Sequence, residues 1–525
     1  MARPLNARGE DGGARNATRT LAASVAFLLA ALVAACGGGS ADAPRQASTG
    51  TLNPTLAASS TLAARCAAPR PSGATDVFGQ LYGDRAGTLS DEKLFLRSWT
   101  DETYLWYQDV RQLSPAVLNA ASYATPVDYF DALRSPLFTA SGAPKDQFHF
   151  TYDTATYEAE SVLGEAYGYG FTVALLASVP PREAAVAYAD PGTPAAAAGI
   201  ARGARILAVD GVDLVNDNTG AGIDTLNEGL FPSSASTHTL RVLDLGATTP
   251  RNVTLTAGTV TSVPVQNAKA LPSPYQSVGY LQFNDHIATS EQQLVAAIGQ
   301  LQAAGVTDLV LDVRYNGGGY LDIASELAYM IAGPTRTAGK VFERLSFNDK
   351  NPFGLTDAER DTPFHAVTQG FSTTAGQALP TLGLGRVYVL AGSGTCSASE
   401  AIVNGLRGAG VQVVLVGSTS CGKPYGFYAQ ENCGTTYFTI QFKGVNALGF
   451  GDYADGFAPT CAVSDDFQHA LGDVAEARLA VALGHRETGS CQRAAGLSAA
   501  TRASVKAEPV LVRSALRENR LYRRH

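Results

Sequence analysis

Residues 309–331 constrain this chain more than any other segment. Leu309-Val310-Leu311-Asp312-Val313 is a nearly continuous apolar run, the pattern of a strand covered on both faces. Arg314-Tyr315-Asn316-Gly317-Gly318-Gly319 follows directly, and residues 321–331 then take up helical spacing. Two more apolar strands are expected at 387–390 and 411–416, with a helix over about 397–406 between them. Strands that alternate with helices predict an α/β core with helices laid on the sheet.

The rest of the chain has a different character. At 525 residues it should hold roughly three domains. Residues 67–160 read as a mainly helical N-terminal domain, in which Phe95, Trp99, Tyr104, Trp106 and Tyr107 cluster. Core packing explains that cluster, with an aromatic ligand cage as the alternative. Residues 165–260 are short β-rich runs punctuated by turns, among them Val209-Asp210-Gly211-Val212, a type I′ hairpin signal. The fold class expected is therefore α/β and β mixed, multidomain. Net charge is 39 − 47 = −8, which argues against a whole-protein nucleic-acid binder. The hydrophobic fraction of 45% excludes a disordered chain, and no Gly-X-Y or heptad register is present. The tail, residues 491–525, is locally basic and reads as solvated and partly helical, or as a contact for anionic lipid or an acidic partner.

Four arginines precede an apolar run at 21–35 that is 15 residues long, short of the roughly 20 a spanning helix needs. Residues 1–35 are predicted to be a signal peptide. The run ends in Val33-Ala34-Ala35-Cys36, which resembles a bacterial lipobox and implies lipidation of Cys36; an ordinary cleavage site beside a chance cysteine is the alternative. The Gly/Ala/Ser/Thr/Pro composition of residues 36–66 reads as a flexible tether. The expected location is the bacterial cell envelope, periplasm-facing, on either membrane. Export leaves six cysteines in an oxidising compartment, enough for three disulfides. Cys421–Cys433 is favoured across a hairpin, and Cys66–Cys491 as a tie between the ends of the folded body. No cysteine or histidine spacing indicates a metal.

Gly168-Tyr169-Gly170-Phe171 precedes a strand, and Asp190-Pro191-Gly192-Thr193-Pro194-Ala195 and Gly203-Ala204-Arg205-Ile206 follow. The set resembles a PDZ domain. Glycines let successive amides face one anion, and the strand after them can accept an added peptide strand. Such a site reads an apolar chain end. A β-rich spacer without ligand is the plainer reading.

The Asn316–Gly319 turn lacks the spacing of a nucleotide-phosphate loop, so its amides are candidates for an oxyanion hole. Ser397, in Thr395-Cys396-Ser397-Ala398-Ser399-Glu400, opens the predicted helix; serine there is ordinarily an N-cap. Lys423, in Ser420-Cys421-Gly422-Lys423-Pro424, is one of only eight lysines against 31 arginines. No GxSxG elbow occurs, which disfavours a Ser-His-Asp hydrolase and leaves a Ser–Lys pair. A basic lysine must be neutral: lowering its pKa from about 10.4 to about 8 takes roughly 3.3 kcal/mol, within what burial supplies. Lys423 is therefore expected to be buried, away from a carboxylate.

Taken in order, Val278-Gly279-Tyr280-Leu281, Asp312 to Gly319, Ser397-Ala398-Ser399-Glu400 and Gly422-Lys423 resemble the C-terminal-processing (tail-specific) serine protease family with a PDZ domain. The resemblance implies a ClpP/crotonase-like catalytic core at 275–490 with an inserted PDZ-like domain at 165–260. It also implies Ser397 as nucleophile, Lys423 as base, and oxyanion amides at Gly317, Gly318 and Ala398. Two positions depart from it: some relatives carry Asp where Gly408 stands, others Gln where Phe427 stands. The residue orienting the lysine is left open, with Tyr425 and Gln430 as candidates. The function expected is an exported lipoprotein serine endopeptidase, without cofactor, acting on protein or peptide substrates with apolar C-termini. A non-catalytic PDZ scaffold on a degenerate protease fold is the alternative. A crotonase-type acyl-CoA enzyme is disfavoured by export, since its thioester substrates are cytosolic.

Overall fold

A computed structural model describes residues 56–493 and 509–512. The predicted signal peptide and Cys36 lie outside the described residues. The fold is mixed α/β and built around several separate cores.

The N-terminal layer is helical. Helix α1 (Leu89–Thr103) starts at a capping box, in which Thr88 and Asp91 satisfy each other's backbone amides. It packs with α2 (Pro126–Ala132) through Phe95, Leu96, Trp99, Tyr129 and Phe130. The aromatic cluster is thus core. Residues 427–440 supply Phe427, Tyr437, Phe438 and Ile440 to the same core, and strand β1 (Phe150–Asp153) pairs antiparallel with 435–438. The expected tether ends early: Ser59 N–H donates to Glu102, Ala64 N–H to Asn432, and Cys66 is disulfide-bonded, so the end of the 36–66 segment is docked rather than free.

A seven-stranded sheet follows. Its strands are β2 (Phe171–Ala177), β3 (Glu183–Ala189), β4 (Arg205–Val209), β5 (Val212–Asp213), β6 (Thr237–Leu243) and β7 (Arg251–Thr256), in the order β7-β6-β4-β3-β2 with β5 paired to β4. Asp210 and Gly211 both have positive φ (48° and 84°), as the type I′ hairpin requires. The seventh strand comes from the basic tail and was not anticipated: Val510–Val512 pairs antiparallel along the outer edge of β2. That part of the tail is a strand rather than a helix, because an apolar triplet with two β-branched residues there meets an open sheet edge.

The third layer is a six-stranded sheet, β8 (Val265–Ala270), β9 (Val278–Phe283), β10 (Asp308–Asp312), β11 (Arg386–Ala391), β12 (Gln412–Gly417) and β13 (Cys461–Ala462), in that order. All neighbours are parallel except β8 with β9. The run of apolar residues follows from burial on both faces. Leu309, Leu311, Val387, Val389, Val413 and Leu415 point to one core, shared with α3 (Ser290–Ala303), α4 (Leu321–Thr337) and α5 (Ala398–Gly408). Val310, Tyr388, Leu390, Val414 and Val416 point to the other, closed by α6 (Ala477–Thr488).

The disulfides correct the expected pairing: Cys66–Cys433, Cys396–Cys421 and Cys461–Cys491. Cys433 sits in the hairpin turn itself, with φ 57°, and reaches outward to the N-terminal segment. Cys421 instead lies beside the loop that carries Ser397.

Candidate active site

The parallel strands deliver three loops to one place. The loop after β10 is the glycine turn, the loop after β11 carries Ser397, and the loop after β12 carries Lys423. Loops at the carboxyl ends of parallel strands are where such sheets place ligands.

Ser397 has φ 64° and ψ −117°, a conformation that an L residue holds only when its surroundings impose it, at about 1–3 kcal/mol. The surroundings are visible. Thr395 Oγ1 donates to Val313 O (2.8 Å), Cys396 N–H donates to Asn316 O (3.0 Å), and Ser399 Oγ donates to the same oxygen (3.2 Å). These tie the serine loop to the glycine turn. The approach is so close that a Cβ on Gly318 would lie 2.8 Å from Ser397 Cβ and 2.9 Å from Ala398 N, and Gly318 itself has φ 98°. Only glycine fits there on both counts.

Glu400 joins the serine loop to the lysine loop. Its Oε2 accepts from Ser397 N–H (2.9 Å) and Lys423 N–H (2.8 Å); its Oε1 accepts from Gly422 N–H (2.9 Å) and Ser420 Oγ (2.6 Å). The Cys396–Cys421 disulfide and the Cys421 N–H to Thr395 O bond (3.0 Å) clamp the same two loops. Burial raises the Glu400 carboxyl above its ordinary range, and the four donors pull it partway back. Glu400 had a local signal, the S-x-x-E spacing from Ser397, but its bonds to the lysine loop did not show in the sequence.

Ser397 and Lys423 are both 0% exposed. The Lys423 Nζ lies 4.6 Å from the Phe148 ring and 4.4 Å from the Phe427 ring. Phe427 is the position where some relatives carry glutamine, so here a phenyl face stands over the amine. Tyr425 packs edge-on to Trp106 at 5.0 Å, and Gln430 Nε2 donates to Glu431 O (2.9 Å). Gly408 lies against Asn446 and Ala447, where a Cβ would already be tight at 3.0–3.1 Å. The one carboxylate bonded to the lysine backbone is Glu400, nearer than the sequence reading expected.

Among the oxyanion candidates, Gly318 N–H donates to Asn316 Oδ1 (3.0 Å), while Ala398 N opens α5 facing Gly318. Asn316 Oδ1 also accepts from His286 Nδ1 (2.9 Å), and among the described residues the buried His286 Nε2 has no hydrogen-bond partner. Burial pushes the His286 imidazole down to about 3, so it is neutral with its proton on Nδ1. On the far side of the turn Arg314 bonds Asp312, Asp465 (2.7 Å) and Glu476 (2.8 Å), and Arg202, in the turn before β4, bonds Tyr315 (2.7 Å) and Asp465 (2.8 Å). Asp465 is held far below the usual carboxylate range by the two arginines, against the effect of burial. His286, Asn316 and this ion network escaped the sequence reading, since each depends on partners far away in the chain.

The structure does not bring Gly168, Tyr169, Gly170 and Phe171 to this place. They open β2. Tyr169 is core, donating its hydroxyl to Gly229 O (3.0 Å), and Gly170 has φ 83° with Thr193 against it. The carbonyls of Tyr169 and Gly170 accept from Ala195 and Asp190 (3.0 and 2.8 Å), which turns them inward.

Residues 277–427 match the family model of Peptidase family S41. A carboxyl-terminal-processing protease of Picosynechococcus sp. is 28% identical over 265 residues, covering 50% of this chain and 56% of that relative. A protein of the same description from Synechocystis sp. is 25% identical over 344 residues, covering 63% of this chain and 71% of its own. This chain thus spans little more than half of the first relative. A crystal structure assigned to the S41 proteases, from Bacteroides fragilis, superimposes with a TM-score of 0.59 at 24% identity over 78% of this chain and 99% of that one, a likeness of fold.

Proposed function

We propose that the chain, whose residues 277–427 match Peptidase family S41 and which is similar to carboxyl-terminal-processing proteases, is a serine endopeptidase with a Ser397–Lys423 dyad. The observation that carries this reading is the convergence of the Ser397 and Lys423 amides on one buried carboxylate, with the lysine amine shut between two phenyl rings. Burial in a low dielectric disfavours a charged amine in general, by up to about 3–5 pKa units for a fully buried one, whereas aromatic ring faces return about 0.5–2 kcal/mol to a cation.

In the proposed cycle the neutral Lys423 Nζ takes the Ser397 Oγ proton as Oγ bonds to the scissile carbonyl carbon. The carbonyl π pair moves onto oxygen, where the Gly317 and Ala398 amides hold it, with Gly318 joining if its amide leaves Asn316. Collapse breaks the C–N bond, and the departing amine takes the proton from Lys423. Water then attacks the acyl ester, returning its proton through Lys423 to Ser397 Oγ and freeing a carboxylate. Helix α5 directs its N-terminal end at this centre, which favours the developing negative charge.

The wider reading has a ClpP/crotonase-like core at 275–490 and a helical domain at 67–160. The segment 165–260, which supplies six strands of the seven-stranded sheet, serves as a PDZ-like domain that grips apolar substrate C-termini along β2, beneath the Gly168–Gly170 turn. A lipid on Cys36 ties the protein to the bacterial envelope. The full burial of Ser397 makes the described state closed to substrate. The test is labelling by a fluorophosphonate, with and without a peptide ending in apolar residues. With the peptide present the parent protein should label, and Ser399→Ala, which loses one of the three ties to the glycine turn, should still label, while Ser397→Ala and Lys423→Ala should not. Full labelling of Lys423→Ala would refute the dyad.

A further inference from the structure

We infer that the chain's own C-terminal segment, Val510–Val512, is a built-in competitor for the strand-accepting edge of β2, the edge to which the proposed function assigns substrate tails; the inference rests on that reading. Val510, Leu511 and Val512 stand opposite Leu175, Ala174 and Val173 in an antiparallel ladder. Without this strand β2 would be the outer strand on its side of the sheet, since its other neighbour is β3. The direction is that of a bound chain end. The segment runs toward the start of β2 and so toward the Gly168–Gly170 turn, where a terminal carboxylate would meet backbone amides.

The local sequence supports a strand at this one place in the tail. Val-Leu-Val is a β-favouring triplet, and Pro509 ahead of it lacks an N–H, which is tolerated at the start of an edge strand. Leu511 anchors it, packed against the cluster of Ala174, Ala185, Tyr188, Tyr315, Phe467 and Leu471. Tyr315 in that cluster is the residue before Asn316, so the tail leucine sits in the seam between the seven-stranded sheet and the catalytic turn. The same features make the tail displaceable. The ladder is three residues long, and the chain continues to Arg513, so an internal segment brings no carboxylate to the glycine turn. A substrate chain end forms the same ladder and fills the anion site as well. A tethered segment acts at an effective concentration in the millimolar range, so an intrinsic dissociation constant near a tenth of that concentration weakens the apparent affinity for a substrate tail about tenfold.

The test uses the full chain carrying Ser397→Ala, so that nothing is cleaved, and a fluorescein-labelled decapeptide ending in Ala-Leu-Val with a free carboxylate. Fluorescence anisotropy should show the probe binding about tenfold tighter when Leu511→Asp is added, and a synthetic peptide of residues 505–516 should compete it off. Equal affinity with and without Leu511→Asp would overturn the inference and leave tail recognition standing. No binding to either protein would overturn tail recognition itself, and the inference with it. Hydrogen exchange on the protein with an intact tail supplies a readout that needs no tail variant. Saturating probe should speed exchange at 510–512 while 173–175 stay protected, and unchanged protection at 510–512 with probe bound would sink the proposal.

Discussion

Glu400 offers the sharpest perturbation of the proposed site. Four donors converge on its two oxygens, and three of them are backbone N–H groups that cannot reverse. Replacing it with glutamine turns one oxygen into a donor. With the amide nitrogen in place of Oε2, two backbone N–H groups, those of Ser397 and Lys423, would face it. In place of Oε1 it opposes only Gly422 N–H, because the Ser420 hydroxyl can rotate and accept. The second orientation is the cheaper, leaving one buried donor unpaired at about 1–3 kcal/mol. For a unit of this size that lowers the melting temperature by roughly 2–10 °C. Glu400→Ala leaves three N–H groups unpaired, about 3–9 kcal/mol by simple addition, comparable with the whole stability of a typical domain. Both variants should be followed by thermal melting and by the rate of fluorophosphonate labelling at Ser397. Glu400→Gln should remain folded and label at least about tenfold more slowly, since small displacements of a nucleophile have large kinetic effects. Glu400→Ala should lose labelling altogether. A Glu400→Ala protein that melts and labels like the parent would refute the claim that this carboxylate holds the two loops together.

Two further outcomes follow from single positions. Gly318→Ala puts a methyl group 2.8 Å from Ser397 Cβ at φ 98°, so labelling and peptide hydrolysis should fall by about 100-fold or more, with only a modest loss in melting temperature; parent-level activity would show that the turn has room to move. Burial pushes the Glu343 carboxyl up to about 8, and its Oε2 has no hydrogen-bond partner among the described residues. Its folded pKa thus exceeds the unfolded value near 4.5, so the stability it contributes is full below about 4.5 and is lost as pH rises toward 8, by at most about 1.4 kcal/mol per pH unit. Glu343→Gln should therefore gain on the parent in melting temperature between pH 5 and pH 8, and an unchanged difference across that range would contradict the assignment.

The parts of this molecule that could be read in advance are those written in neighbouring residues. The strand at 308–312 showed itself because both its faces are apolar, and the helix at 398–408 because its apolar spacing follows a serine start. The Asp210-Gly211 turn needed only two residues that accept positive φ. The disulfide pairing was misread because loop length and hairpin position say nothing about which distant loops the sheet brings side by side. Cys396 and Cys421 meet because β11 and β12 are parallel neighbours, a fact of register rather than of composition. Phe148 over Lys423 is the same kind of fact, since it depends on β1 docking beside residues 435–438.

Glu400 shows where a local reading stops short. A glutamate three residues after a helix-opening serine has an ordinary role, bonding back to the serine amide, and the structure keeps that bond. An ionised carboxylate, however, has about four acceptor positions, and a capping box fills one. In a helix buried along most of its length, the other positions must be filled by something other than water. Burial of the helix therefore demands further donors, which the spacing by itself does not name. The Ser420–Lys423 loop supplies three of them, and by doing so it fixes the lysine backbone against the serine backbone. The contact that holds the site together follows from the acceptors a buried cap leaves unfilled, and that burial is a property of the fold rather than of the S-x-x-E spacing.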